Sequence, residues 1–284
     1  MILVIGGRSK IGSALIEELI TRGQTVRALV RSPESAKGLP GQAEPVIGDL
    51  GDRASLAAAM KGVDRVFVLS SPAPAEVQWH TNAIDAARDS GIRLLVRSSI
   101  LGSDPASKAT FVADHGRSDA YLRASGVPFV ILRPNAFLQN VPENTMLSID
   151  AGGTFYANAG DARISMVDAR DVAAVAAVVL TTPGHEGCAY DVTGPEALSY
   201  ADIAGKLSRS MGRPVRFVDV PDEAVKKTLL GFGLGEWLVG GLVDLYQDYK
   251  RSGVAGYAAA ISDTVPRLTG RSGRSLDQLL GELR

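Results

Sequence analysis

The sequence predicts an α/β fold, with a doubly wound parallel sheet of the Rossmann type and a small C-terminal α/β lobe. Six apolar runs alternate with helical patterns over the first half of the chain, and continuous Val, Ile and Leu runs are typical of parallel strands buried on both faces. The predicted strands are Ile2–Ile5, Val26–Val30, Glu44–Ile47, Arg65–Leu69, Ile92–Val96 and Phe129–Leu132. The helices between them are predicted at 11–22, 53–61, 76–90 and 111–125, and the glycines that end them are Gly23, Gly62, Gly91 and Gly126.

Composition limits the classes of protein that the chain can belong to. The 284 residues include 30 basic and 31 acidic side chains. The net charge of −1 provides no excess of positive charge for binding nucleic acid or an anionic membrane. The single cysteine, Cys188, excludes an internal disulfide framework, and the first residues enter a predicted strand rather than a signal peptide. No apolar run approaches the roughly 20 residues that a membrane helix needs. We therefore expect a cytoplasmic protein without a nucleic-acid partner, a membrane span or a metal site.

The first strand leads into a glycine-rich turn and then a helix. A dinucleotide phosphate fits this arrangement, because a helix N-terminus offers unpaired N–H groups and glycines let the backbone approach the pyrophosphate. Ser9 stands where the usual fingerprint has its middle glycine. The turn is therefore either an altered cofactor site or a plain tight turn. In the first case, the cofactor-binding residues are Gly6, Arg8, Ser9, Lys10, Ile11 and Gly12.

The end of the second strand favours NADPH as the cofactor. A site that selects NAD has an acidic residue about 20 positions after the turn, which binds the ribose hydroxyls. Here Arg31 lies 19 residues after Gly12. A guanidinium suits a 2′-phosphate, to which it presents two parallel donors. Arg8 is predicted to supply a second cation, and the small Ser9 side chain both leaves room for the phosphate and offers a hydroxyl donor.

The pattern becomes less regular after residue 135. A loop rich in Gly and Asn precedes an Ala- and Val-rich helix at Asp171–Leu180, and a strand, a helix and another strand follow at Tyr190–Val192, Tyr200–Met211 and Val215–Val220. The sequence therefore predicts a NAD(P)-binding domain over residues 1–150. Residues 151–284 are predicted to complete the sheet and to form a smaller lobe on the substrate side.

Several stretches resemble the NmrA-like group of atypical short-chain dehydrogenase/reductases. They are the opening turn, VRALVRS, Gly48-Asp49-Leu50, LRASGVPFVILRPNAFLQNV, ISMVDARDVAAVAAVVL and YDVTGP, so the resemblance covers nearly the whole chain. The group includes NADPH-dependent quinone, azo-dye and triphenylmethane-dye reductases, and also regulators that sense the dinucleotide. The resemblance implies that Asp49 and Leu50 lie near the adenine, Ser70 and Ser71 near the cofactor ribose, and Pro134 and Asn135 near the nicotinamide. Ser98 is counted with these cofactor-binding residues.

The usual catalytic pair of the wider family is missing. Typical members place a Tyr and a Lys four residues apart on one helix, where the lysine lowers the pKa of the tyrosine. By comparison with the LRASG and ILRP landmarks, these positions hold Phe111 and His115. His115 is the candidate catalytic residue because its ring can donate a proton near neutral pH, and the alternative is a histidine on the helix surface. Cys188 has no partner at a catalytic spacing and is expected to be a structural thiol.

The sequence leaves two classes of function open. The first is an NADPH-dependent reductase that passes hydride to a small quinone-like or dye-like acceptor, a reaction that depends less on one placed phenol. The second is a non-catalytic NADP(H) sensor that acts on a protein partner. A nucleotide-sugar epimerase is disfavoured because the tyrosine is absent. A homodimer or a protein partner is compatible with either class.

Overall fold

Strands and helices alternate through the first 134 residues of the computed structural model, which describes residues 1–283. The strands are β1 (Ile2–Ile5), β2 (Val26–Val30), β3 (Glu44–Ile47), β4 (Arg65–Val68), β5 (Leu94–Ser98) and β6 (Phe129–Pro134). The helices are α1 (Lys10–Thr21), α2 (Pro33–Ala36), α3 (Arg53–Ala59), α4 (Glu76–Asp89) and α5 (Thr110–Ala124). The predicted elements are confirmed, with ends that differ by one or two residues.

The later part of the chain contributes to the same sheet and to a second, small one. Its elements are β7 (Thr154–Ala157), α6 (Ala169–Thr181), β8 (Ala189–Val192), α7 (Tyr200–Met211), β9 (Arg216–Asp219), α8 (Asp222–Gly231), α9 (Glu236–Ser252), α10 (Thr264–Thr269) and α11 (Leu276–Glu282). Strand β7 falls inside the segment that the sequence predicts to be a loop. It is short, and it pairs in parallel with β9, about sixty residues further on. Such a distant partner leaves no local signal.

The main sheet has seven parallel strands in the order β3-β2-β1-β4-β5-β6-β8. The chain builds outwards from β1 in one direction and from β4 in the other, so the strand order reverses between these two strands. Open α/β sheets bind ligands in the crevice that such a reversal leaves at the carboxyl ends of the strands. The predicted Rossmann-type doubly wound sheet is confirmed.

Helices cover both faces of the sheet. On one face, Leu15 and Leu19 of α1 share a buried cluster with Val172 and Val175 of α6. On the other face, α3, α4 and α5 bury the side chains Leu56, Ala59, Ala83, Ile84, Ala87 and Leu122. A third cluster, which includes Phe155 of β7, Tyr200 of α7 and Tyr249 of α9, forms the core around the two-stranded sheet. The division of the chain at residue 150 stays a prediction.

Membrane insertion through a helix has no support in the fold. Within residues 1–283, every helix is too short or too polar to cross a bilayer.

Candidate cofactor site

A crevice of about 370 Å³ opens at the carboxyl ends of β1 to β4. The predicted site residues that line it are Gly6, Arg8, Ser9, Arg31, Asp49, Leu50, Ser70 and Ser71. They come from four loops that are far apart in sequence and meet because the strands are parallel. The crevice therefore joins the glycine-rich turn and the arginine at the end of β2.

Two glycines allow the turn after β1 to pack closely. Gly6 has a φ of +88°, and a Cβ there would lie 2.6 Å from the carbonyl oxygen of Leu69. A Cβ at Gly12 would lie only 2.2 Å from the carbonyl oxygen of Gly6 and 2.8 Å from the Cα of Gly7. Helix α1 therefore begins directly against the turn, with its N-terminus beside the crevice. This geometry fits a pyrophosphate, since both the space and the helix dipole favour one.

Ser9 is the N-cap of α1. Its Oγ accepts a hydrogen bond of 2.9 Å from the backbone N–H of Gly12. Serine is among the residues preferred at this position, because its oxygen satisfies one of the four free N–H groups at a helix start. The hydroxyl keeps its own hydrogen for donation. Ser9 therefore has a structural role that the comparison with a glycine fingerprint did not predict.

Two guanidinium groups line the crevice. Arg8 and Arg31 both line it and are solvent-exposed, and within residues 1–283 neither forms an ion pair. The Nε of Arg8 lies 3.6 Å from the position that a Cβ on Gly38 would occupy. Unpaired arginines beside a helix N-terminus are well suited to bind phosphate groups.

The region expected around the adenine contains one residue that sequence reasoning missed. Asp49 lines the crevice, but its Oδ1 accepts a 2.7 Å hydrogen bond from the N–H of Gly51 and so supports its own turn. The neighbouring Leu50 is held by a 2.9 Å bond from Asn82 Nδ2 to its carbonyl oxygen. Trp79 of α4 also lines the crevice and offers a flat apolar surface there. The sequence feature that could have identified Trp79 is an aromatic residue in the first turn of the helix after β4.

Six predicted binding residues are not part of the crevice lining, and one of them is Gly12, the glycine near the start of α1 described above. Lys10 forms a 2.5 Å ion pair with Glu143, and Ile11 is buried in the core under the sheet. Ser98 ends β5, and Pro134 ends β6. The side-chain amide of Asn135 donates to Ser165 Oγ at 2.9 Å and to the Ala258 carbonyl at 2.8 Å. Their cofactor contacts stay predictions.

His115 and Phe111 lie one turn apart on α5, outside the crevice. The Phe111 ring packs on Trp237 of α9, with centroids 5.4 Å apart. His115 Nδ1 lies 2.9 Å from Arg97 Nη2, and its Nε2 lies 3.2 Å from Glu76 Oε1. Burial and the Arg97 charge lower the pKa of His115 well below its usual value. Both ring nitrogens thus face groups inside the protein, and the catalytic role of His115 stays a prediction.

Glu76 is a buried carboxyl group at the start of α4. Its side chain is 1% exposed, and neither oxygen accepts a well-aligned hydrogen bond from any residue in 1–283. Burial raises its pKa to about 7, although the charge of Arg97 opposes this shift. The carboxyl is therefore partly protonated near neutral pH. Its position was not predicted from the sequence, although Glu76 and His80 share one face of α4 at a spacing of four residues.

The turn, the helix start and the exposed arginines define a dinucleotide-binding α/β protein of the Rossmann type. The family described as NAD(P)H-binding matches residues 6–183, so the chain belongs to this NAD(P)H-binding family. No group of three or more His, Cys, Asp or Glu side chains that could hold a metal ion occurs within the described residues.

Three known proteins are similar to this chain over nearly its full length. It is 38% identical to the NAD(P)H azoreductase of Xenophilus azovorans over 276 aligned residues. The aligned region covers 97% of this chain and 95% of the relative. The NADPH-dependent quinone oxidoreductase of Escherichia coli, complexed with NADPH, is 27% identical with a TM-score of 0.90, over 100% of this chain and 99% of that chain. The Citrobacter sp. triphenylmethane reductase, complexed with NADP(H), is 25% identical with a TM-score of 0.88, over 100% of both chains. The predicted resemblance to NmrA-like reductases is confirmed.

Proposed function

We propose that the protein is an NADPH-dependent reductase that transfers hydride to a small quinone-like or dye-like acceptor. The observation that carries the proposal is the pair of exposed guanidiniums, Arg8 and Arg31, in a crevice that lies beside a helix N-terminus. This combination supplies positive charge for the pyrophosphate and for the 2′-phosphate that distinguishes NADPH from NADH.

The class of acceptor is supported by the relatives. Their names specify an azoreductase, a quinone oxidoreductase and a triphenylmethane reductase, and azo compounds, quinones and triphenylmethane dyes are all conjugated small molecules. With a quinone, bound NADPH supplies a hydride, one proton is taken up, and the products are a hydroquinone and NADP⁺. Because Phe111 replaces the usual phenol, the chain fits an acceptor that does not need a strong placed acid.

The parts of the cofactor are assigned to different strands along the carboxyl edge of the sheet. Trp79 and Leu50 offer apolar surface for the adenine, beside the turn that Asp49 supports. We assign Ser98 and Pro134, at the ends of β5 and β6, to the nicotinamide end of the cofactor. His115 remains the catalytic candidate from the sequence, although its contacts with Arg97 and Glu76 favour a structural role, and the turnover of His115→Ala decides between the two.

The test is acceptor-dependent oxidation of NADPH by the purified protein. NADPH absorbance is followed with a panel of quinones, azo dyes and triphenylmethane dyes, and NADH serves as the comparison cofactor. Oxidation that rises with acceptor concentration and prefers NADPH would support the proposal. Tight NADPH binding with no oxidation by any acceptor would favour a non-catalytic sensor.

The cellular location and the assembly of the protein are further parts of the proposal. One cysteine and an NADPH-dependent reaction fit the reducing cytoplasm, where we place the protein. A homodimer or a complex with a protein partner is part of the proposal as well, and sedimentation of the purified chain with and without NADPH would test the homodimer.

A further inference from the structure

A buried histidine contacts one of the serines that line the cofactor crevice. Ser70 follows β4 and borders the crevice, and its Oγ lies 3.0 Å from Nε2 of His80. His80 lies on α4, and its side chain is completely buried. The histidine therefore reaches the crevice only through the hydroxyl of Ser70.

The contact with Arg97 determines which nitrogen of His80 carries the proton. Arg97 Nε donates to His80 Nδ1 at 3.2 Å, and a guanidinium has donors only. Burial and the Arg97 charge lower the pKa of His80 well below its usual value, so the ring is neutral. The single N–H proton of the neutral ring must then be on Nε2, which donates to Ser70 Oγ. Ser70 is the acceptor in this bond, and its own hydrogen is not used.

Arg97 is itself fixed from several sides. Its side chain is fully buried and forms an ion pair with Asp119 of α5. The other oxygen of Asp119 accepts hydrogen bonds from Ser99 Oγ at 2.7 Å and Ser103 Oγ at 2.8 Å. Because each group is tied to a strand or helix, the ring of His80 has one well-defined orientation. A chain of hydrogen bonds thus runs from the core to the crevice.

We propose that His80 is a positioning residue for the cofactor, because it fixes the Ser70 hydroxyl as a hydrogen-bond donor to an oxygen of the dinucleotide. The oxygen belongs to a ribose hydroxyl or to a phosphate group. No residue in 1–283 accepts the hydrogen of Ser70, which leaves it for a ligand in the crevice. The inference rests on the proposed function, since it requires that this crevice binds NADPH.

Two substitutions of His80 separate positioning from packing. His80→Leu fills similar space but can neither accept from Arg97 nor donate to Ser70. His80→Gln keeps an oxygen acceptor and an N–H donor in one side chain. His185→Leu is the matched control, because this histidine bonds to Thr182 and Tyr190, away from the crevice. NADPH affinity is measured by calorimetry on folded protein at one pH and salt concentration.

We expect His80→Leu and Ser70→Ala each to weaken NADPH binding about 3- to 10-fold, the range for one lost hydrogen bond. His80→Gln should recover most of the loss, and His185→Leu should bind like the wild type. In the double variant, His80→Leu should add little to Ser70→Ala, because both remove the same donor. A purely structural histidine would give additive losses and no recovery with Gln.

The proposal can be tested even if His80→Leu does not fold, because Ser70→Ala removes the proposed donor directly. Normal NADPH affinity in Ser70→Ala would overturn the inference, provided that Arg31→Ala weakens binding and so shows that the crevice is the cofactor site. Additive losses in the double variant would overturn it too. Failure of the proposed function has a different signature, which is a wild-type protein that does not bind NADPH.

Discussion

The Nη2 of Arg97 lies 2.9 Å from the Nδ1 of His115, so this ring nitrogen accepts a hydrogen bond from a buried guanidinium. The proton of the neutral ring is then on Nε2, which faces the buried carboxyl of Glu76. A proton held in this position is directed into the core. The relationship between Arg97 and His115 therefore leads to a specific expectation for the candidate catalytic residue.

His115→Ala is expected to affect stability more than turnover. Loss of the ring leaves a buried donor of Arg97 without its acceptor, which costs about 1 to 3 kcal/mol of unfolding free energy. Urea unfolding measures this loss, and NADPH oxidation with a saturating acceptor measures kcat on the folded variant. The opposite result, a fall in kcat of about 10-fold or more with stability unchanged, would support His115 as a general acid.

Arg31→Ala should reduce the preference for NADPH over NADH. A charge-assisted bond to the 2′-phosphate is worth about 1 to 3 kcal/mol, and NADH lacks this group. Titration of both nucleotides against both proteins measures the change. Arg22→Ala, at the far end of α1, is the control and should leave the ratio unchanged. An equal ratio of NADPH to NADH affinity in the wild type and in Arg31→Ala would show that Arg31 does not bind the 2′-phosphate.

Ser9 should matter for the stability of α1 through its capping bond to Gly12. Ser9→Ala is expected to lower the unfolding free energy by about 1 kcal/mol, and Ser9→Gly by only a few tenths, since glycine is tolerated at an N-cap. NADPH affinity should change little in Ser9→Gly. Ser13→Ala, inside the same helix, removes a hydroxyl without a capping role. If Ser13→Ala and Ser9→Ala were equally destabilising, the capping argument would be wrong.

Gly12→Val should abolish NADPH binding. Any Cβ at this position meets the Gly6 carbonyl oxygen at 2.2 Å, so α1 must move away from the turn that we propose to contact the pyrophosphate. Calorimetry measures binding, and circular dichroism shows whether the variant folds. Gly240→Ala, inside α9, serves as control, because apart from its chain neighbours and the backbone of its own helix a Cβ there has no heavy atom of residues 1–283 within 4 Å. A folded Gly12→Val protein with normal affinity would mean that the turn is not the binding site.

Glu76 should make the protein less stable as the pH rises from about 4.5 to 7. Its pKa is raised to about 7 in the folded state, so the folded protein binds more protons than the unfolded chain in this range. Across this pH range the pKa shift lowers the free energy of unfolding by roughly 3 kcal/mol, since each pKa unit corresponds to about 1.36 kcal/mol. Glu76→Gln should lose this slope and be the more stable protein at pH 8. Urea unfolding from pH 5 to 8 compares the two, and identical slopes would show that Glu76 does not titrate as proposed.

The predicted fold came from signals that are local in sequence. Strand β1 is a continuous apolar run that ends before Gly6, and each of the next five strands is a mostly apolar run with one or two polar residues. Arg31 could be assigned because its distance from the turn is set by one helix and one strand. The parallel sheet then determines where these segments meet.

The missed features depend on partners that are distant along the chain. Strand β7 needs β9, and the buried position of Arg97 needs side chains from both α4 and α5. The capping role of Ser9 was readable, since serine before a helix is a common N-cap. The comparison with a glycine fingerprint assigned this residue only to the cofactor.

The packing of α6 against α1 has a consequence for how the protein is made. Every residue that lines the crevice precedes residue 80, but the face of the sheet that carries α1 is covered by α6, which begins at Ala169. A nascent chain that ends near residue 150 exposes apolar side chains such as Val130 and Leu132 on this face. Such surfaces attract chaperones and promote wrong association. During translation, the residues of the crevice are synthesised early, but the helix that supports them emerges from the ribosome much later.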